Sequence, residues 1–191
     1  MRSFADDLLA AELFHGHICN GTYLGLRLAR LACRLLEIDD PRARHDLVVY
    51  VETDRCPVDA ISVVTGVTLG TRRLKWVDYG KTAATFVDLS SGRAVRVVPR
   101  PDGPHRVAGQ DLAEFWAALD DDEVFLWQWP DFTVPDADRP GLPTSRAVCA
   151  VCGEQVVDGR DVVRDGRTLC RPCADGRFYG RLGLDSPDGR R

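Results

Sequence analysis

Residues 15–38, "HGHICNGTYLGLRLARLACRLLEI", decide how the chain is read, because one stretch holds both a dense group of metal-type side chains and the longest apolar periodicity. From Gly21 to Ile38 the period is helical. Leu24, Leu28, Leu31 and Leu35 make one stripe, and Leu26, Ala29, Cys33 and Leu36 a second, with Ala32 between them. Only Arg27, Arg30, Arg34 and Glu37 form a polar stripe, so most of this helix is expected to be buried as the central helix of a domain. Cys33 falls on its apolar side and reads as core. His15, His17 and Cys19 stand at the helix's N-terminal mouth.

Working outward, Phe4, Leu8, Leu9 and Leu13 give a short amphipathic helix over 4–13 that stops before Gly16. "LVVYVET" (47–53) has the β-branched content of a strand. Pro57 suits a first helical turn, so "PVDAISVVT" predicts a helix from 57 to about 65, closed by Gly66. "LKWVDYG", "TAATFVDLS" and "AVRVVPR" are three strand candidates, and 111–119 is a last helix. The fold class expected is α+β: a main domain over 1–128, its buried helix packed on a small, mostly antiparallel sheet. Four prolines and no periodicity make 129–146 a linker. A zinc ribbon over 147–180 and a flexible tail over 181–191 complete the expected organisation.

The ribbon rests on Cys149-x-x-Cys152 and Cys170-x-x-Cys173 with seventeen residues between them, a spacing that lets four thiolates close tetrahedrally on one zinc. The segment between the knuckles reads as a β-hairpin. Four thiolates leave no open position, so this zinc is expected to be structural, and a unit of about 35 residues needs the metal to fold. The ribbon's contact is open among DNA, RNA, a partner protein and the other copy in a dimer. With only a weak positive balance there and a net charge of −4 overall, nucleic acid is the least favoured.

The group at 15–19 has two readings. A His-x-His before a helix often does no more than face solvent. Against that, Cys19 lies at a helix start, where unpaired N–H groups favour a thiolate, and Cys56 precedes Pro57 in the same kind of environment. His15, His17, Cys19 and Cys56 would together satisfy zinc or another transition metal, with an open position allowing Lewis-acid work, or the two thiols would form a redox pair. Lys81, one of two lysines against 23 arginines, either binds an anion or is an exposed turn residue. Cys19, Cys56 and Lys81 are thus the candidate catalytic residues. The acidic, non-apolar N-terminus and the absence of an apolar run of about 20 residues argue against a membrane span and for a cytoplasmic protein. Seven cysteines are then metal ligands, reactive thiols or core before they are disulfides.

Three stretches, "FHGHICNGTYLGLRLA", "VETDRCPVDAISVVTGVTLG" and "DYGKTAATF", closely resemble the FmdE family, which takes its name from a component of formylmethanofuran dehydrogenase. The resemblance implies an α+β domain, commonly dimeric, with a pocket near His15, His17, Cys19 and Cys56, and with Asp59 and Lys81 as neighbours. It also implies a possible protein partner, a molybdenum or tungsten enzyme, although nothing in this chain would hold a pterin cofactor. Asn20 departs from the proline usual at that position. The readings carried forward are a metalloprotein acting on a small molecule, a non-catalytic accessory or metal-binding module and, third, a nucleic-acid-binding zinc-ribbon regulator.

Overall fold

The computed structural model describes residues 1–176, and the expected tail at 181–191 lies outside the described residues, as do 177–180 at the end of the expected ribbon. The chain divides into two compact units, Met1–Pro140 and Gly141 onward.

In the first unit α1 (Phe4–His15) is capped by Ser3, whose hydroxyl accepts the Asp6 N–H, and ends at Gly16 with φ 89°. That left-handed residue turns the chain so that α2 (Asn20–Leu35) starts four residues later. Leu26, Ala29, Ala32 and Cys33 of α2 are wholly buried, as the two apolar stripes require. Strand β1 (Leu47–Val51) leads to α3 (Pro57–Thr65), which begins at its proline and ends at Gly66 with φ 71°. Strands β2 (Leu74–Trp76), β3 (Ala84–Asp88) and β4 (Ala94–Pro99) follow. Next come α4 (Leu112–Ala117), the single turn α5 (Asp121–Val124) and β5 (Phe125–Gln128), a strand that the sequence pattern did not signal.

The sheet order is β2-β1-β3-β4-β5; β1 and β2 run parallel and every other pair is antiparallel. Register sorts the two faces. Val49, Phe86 and Val95 are aligned across three strands and face the helices, while Val48, Val87 and Ala94 are aligned on the opposite face. That second face is covered by part of the stretch read as a linker: Val134 is buried on it, Phe132 packs edge-on against Tyr50 at 5.1 Å, and the Tyr50 hydroxyl donates to Asp138. Residues 129–140 therefore form a strap on the sheet. Among the described residues no helix is long and apolar enough to cross a membrane.

The second unit contains the hairpin expected between the knuckles and adds another before it. Strand β6 (Arg146–Val148) pairs with β7 (Gln155–Val157) across the first cysteine knuckle, and β8 (Asp161–Arg164) pairs with β9 (Arg167–Cys170). Gln155–Val157 turns back on residues N-terminal to Cys149, so the knuckle itself serves as a hairpin turn. The second turn is Asp165-Gly166, with φ 50° and 71°, the sequence and geometry that a two-residue hairpin favours. A short helix, α6 (Arg171–Asp175), carries the last cysteine.

Candidate metal centres at two helix starts and in the ribbon

Helices α2 and α3 are brought together by missing side chains. A Cβ on Gly25 would lie 2.5 Å from the Pro57 carbonyl oxygen and 2.6 Å from its Cα, and one on Gly21 would lie 3.0 Å from Cβ of Cys56 and 3.6 Å from Sγ of Cys19. Two glycines one turn apart thus let the start of α3 lie against α2, which puts the N-caps Cys19 and Cys56 beside each other.

Thr22, at the third position of α2, links the site to the cap. Its hydroxyl accepts the Cys19 N–H at 3.4 Å and lies 3.3 Å from Cys19 Sγ. Burial acts to raise the Cys19 thiol, but hydrogen bonds from the Thr22 hydroxyl and N–H, from the Cys56 thiol and from the Gly21 N–H outweigh it and hold the group below its ordinary value. Cys56 is pushed the other way, by burial first, then by its hydrogen bond to Cys19 and the charge there. The pair therefore favours one thiolate, on Cys19.

His15, the last residue of α1, is gripped from α3: its Nδ1 lies 2.7 Å from Asp59 Oδ2. With Nδ1 committed, Nε2 is the group that matters. It is buried and has no hydrogen-bond partner. One ring nitrogen each of His15 and His17 and the Cys19 sulfur all lie within 4.8 Å of one another, and the two rings are 4.7 Å apart between centroids. Cys56 is outside that tightest set but adjoins it through Cys19. Cys56, His15 and Asp59 also line a cavity of about 270 Å³ whose walls include Val51, Val58 and Trp76.

Lys81 is not among the residues that line this cavity. Its backbone N–H donates to Glu52, and its ammonium lies 6.0 Å from the centre of the exposed Tyr79 ring. Cys33 is fully buried in the core, and burial pushes its thiol up to about 12. The sequence alone did not disclose Thr22, the two packing glycines or the contact of Asn20, whose side-chain oxygen accepts the Trp116 indole N–H at 3.0 Å and ties α4 to the start of α2. Gly21 and Gly25, i and i+4 in an otherwise apolar helix, were the available signal for close packing.

In the second unit the four cysteine sulfurs lie within 4.8 Å of one another, with Cys152 and Cys170 3.8 Å apart. A tetrahedron of sulfurs each about 2.3 Å from zinc has edges of about 3.8 Å. The donor set and its spacing fit zinc. N–H groups of Cys152, Cys170 and Val151 point at Cys149 Sγ and bring its thiol down to about 6. Backbone donors thus favour the thiolate before any metal arrives.

An α+β domain with a His/Cys cluster at paired helix starts, followed by a four-cysteine zinc finger, defines the class of protein. Residues 14–123 match the family described as FmdE, molybdenum formylmethanofuran dehydrogenase operon, and residues 143–177 match the prokaryotic dksA/traR C4-type zinc finger. The chain belongs to the FmdE family. It is 29% identical over 203 residues to a probable S-adenosyl-L-methionine-binding protein of Archaeoglobus fulgidus, covering 92% of this chain and 54% of that one. The chain thus spans about half the length of this curated relative. Its fold is similar to the crystal structure of a tungsten formylmethanofuran dehydrogenase FmdE-like protein from Syntrophus aciditrophicus, with a TM-score of 0.62, 19% identity, and coverage of 93% of this chain and 95% of the other.

Proposed function

We propose that the N-terminal unit is a metal centre for small-molecule chemistry, in which His15 Nε2, His17 and Cys19 hold zinc or another transition metal and Cys56 is a fourth ligand or the residue a substrate displaces. The observation that carries this reading is the buried, unpartnered His15 Nε2. A buried polar atom without a partner is costly, and the cost is recovered if it ligates a cation. Asp59 on Nδ1 fixes the tautomer that leaves Nε2 its lone pair, the arrangement by which a carboxylate orients a ligating histidine. Cys19 contributes the sulfur already biased to thiolate, and Thr22 holds it in place. When bound, such a metal supplies Lewis-acid activation of a small ligand or water. The cavity beside His15 and Cys56 gives that ligand an apolar wall in Val51, Val58 and Trp76. Lys81 has no role in this proposal, because its ammonium rests over Tyr79.

Elemental analysis of the full chain tests it. Two metals per chain are expected, falling to one in Cys19→Ala. A cobalt-substituted protein should lose only part of its thiolate-to-metal charge-transfer absorption in that variant. One metal per chain, with the same count in Cys19→Ala, would refute the N-terminal centre.

A second reading, an accessory protein that works through contact with a second copy or with a molybdenum or tungsten enzyme, is favoured by the outer face of α1. Leu13 is 79% exposed and Phe14 62%, directly before His15, on a helix whose other side is core. We take this face as the homodimer contact. Leu13→Asp should convert a dimer to a monomer in light scattering; a wild type that is already monomeric would remove this reading.

A further inference from the structure

The first unit has a larger cavity, about 470 Å³, between α1, α2 and α4, whose lining shares no residue with the His/Cys cluster. Its volume lies in the range of small-molecule sites. Three aromatic residues line it, Phe4 half-buried and Tyr23 and Trp116 only 5% and 6% exposed. Tyr23 and Trp116 are nearly parallel, 3° apart with centroids at 6.1 Å, and Phe4 is tilted against Tyr23 at 6.0 Å. The polar stripe of α2 supplies its other side.

Arg27, Arg30 and Arg34 all line this cavity. The acids nearby do not neutralise them. Asp121 pairs with both Arg27 and Arg34, and the buried Asp7 pairs with both Arg30 and Arg2, so each carboxylate is shared by two guanidiniums and each group keeps one positive charge in excess. Arg27 is fully committed, holding Asp121 and the carbonyls of Trp116 and Leu119. Arg30 spends only Nη1, on Asp7 and the Arg2 carbonyl, and Arg34 spends only Nη2, on Asp121. Nε and Nη2 of Arg30 and Nε and Nη1 of Arg34 donate to no protein acceptor among the described residues. Arg30 is held in place from below by Asp7 and lies over the Phe4 ring at 5.8 Å. Its unused donors are therefore positioned beside an aromatic wall.

We propose that this cavity is a second ligand site, for a small aromatic molecule carrying a phosphate or carboxylate. The ring packs against Tyr23 and Trp116, and the anion takes the unused donors of Arg30 and Arg34. The mutual recognition is between a planar apolar body and two guanidiniums, which a neutral aromatic or a bare inorganic anion each satisfies only by half.

Calorimetric titration of the full, metal-loaded chain tests the site with phenyl phosphate, benzoate and AMP, against benzyl alcohol and inorganic phosphate. The aromatic anions are expected to bind about tenfold or more tightly than either half alone, and the better of phosphate and carboxylate identifies the headgroup. Arg34→Gln, at a half-exposed position whose partner Asp121 keeps Arg27, should weaken the aromatic anions about tenfold and leave benzyl alcohol unchanged. Ala117→Trp fills the cavity from an exposed position and should abolish binding with no change in circular dichroism. Cys19→Ala should leave it intact. The proposal is overturned if no aromatic anion binds better than both halves, if Ala117→Trp binds as the wild type does, or if Cys19→Ala loses the ligand, which would place the anion at the metal cluster.

Discussion

In the N-terminal unit Cys19 and Cys56 stand at the starts of helices that Leu26, Val49, Val64 and Phe86, all buried, already hold against a sheet. Among the described residues of the C-terminal unit the buried hydrophobic core is Cys149, Leu169 and Cys170, so two of its three members belong to the four-cysteine cluster itself. The first unit has a fold that positions candidate ligands; in the second the cysteine cluster is the core of the fold. The same residue type thus carries opposite burdens, and a core of that size cannot offset the chain entropy of the ribbon without the metal.

The largest test of this contrast is metal removal. A strong chelator acting on the reduced protein should abolish amide hydrogen-exchange protection in β6 to β9, since a structural zinc of this kind is worth about 10–16 kcal/mol. Protection in β1, β3 and β4 should not change. Loss of protection in both units together would mean that the first also depends on metal for its fold.

Next comes the helix crossing that makes the N-terminal cluster possible. On helix propensity alone Gly25→Ala should stabilise α2 by about 1 kcal/mol. The new Cβ would meet the Pro57 carbonyl at 2.5 Å, a backbone atom that cannot step aside without moving α3. We expect a net loss of about 3 kcal/mol in denaturant unfolding, so the sign decides. A stabilised variant would mean that α2 and α3 separate easily, and the pairing of Cys19 with Cys56 would have no rigid support.

A smaller effect separates positioning from folding within the first unit. Asp59→Asn should lower the metal affinity of the proposed N-terminal centre by about 10–100-fold, because His15 loses the carboxylate that orients it. The midpoint of unfolding of the metal-free protein should move far less, by about 0.5 kcal/mol, as Asp59 is 43% exposed. Equal losses in both would reduce Asp59 to a structural residue.

What the sequence disclosed follows the same division. Local signals were legible: the apolar stripes of α2, the proline and glycine that bound α3, and cysteine spacing that defines a zinc site without reference to anything else in the chain. What stayed hidden was non-local. Phe132 and Val134 look like linker residues between prolines until Val48, Val87 and Ala94 are known to share an uncovered sheet face. Strand β5 has no alternation to reveal it, since Leu126, Trp127 and Gln128 are all exposed after the buried Phe125. The ribbon's second hairpin went unread because its outer strand, Arg146–Val148, is only three residues long and lies before the first ligand. For the site, residue types and helix starts gave His15, His17, Cys19 and Cys56, but the grip of Asp59 on His15 spans 44 residues of sequence and exists only after α1 and α3 pack.

Asn20 offers the finest test, because two local effects there oppose each other. Asn20 is the first residue of α2, a position where proline's fixed φ is preorganised and its missing N–H costs nothing. Asn20→Pro should stabilise the helix start by about 0.5 kcal/mol through a less flexible unfolded chain. It would also remove the acceptor of the Trp116 indole N–H, a bond worth about 1 kcal/mol. The expected net is a loss of about 0.5 kcal/mol, with metal content unchanged. A loss several times larger would mean that the indole is left buried without a partner and that α4 is anchored chiefly through Asn20. In that case the tie between α2 and α4 belongs with the two glycines as a support of the N-terminal cluster, and its loss should also lower metal retention at Cys19.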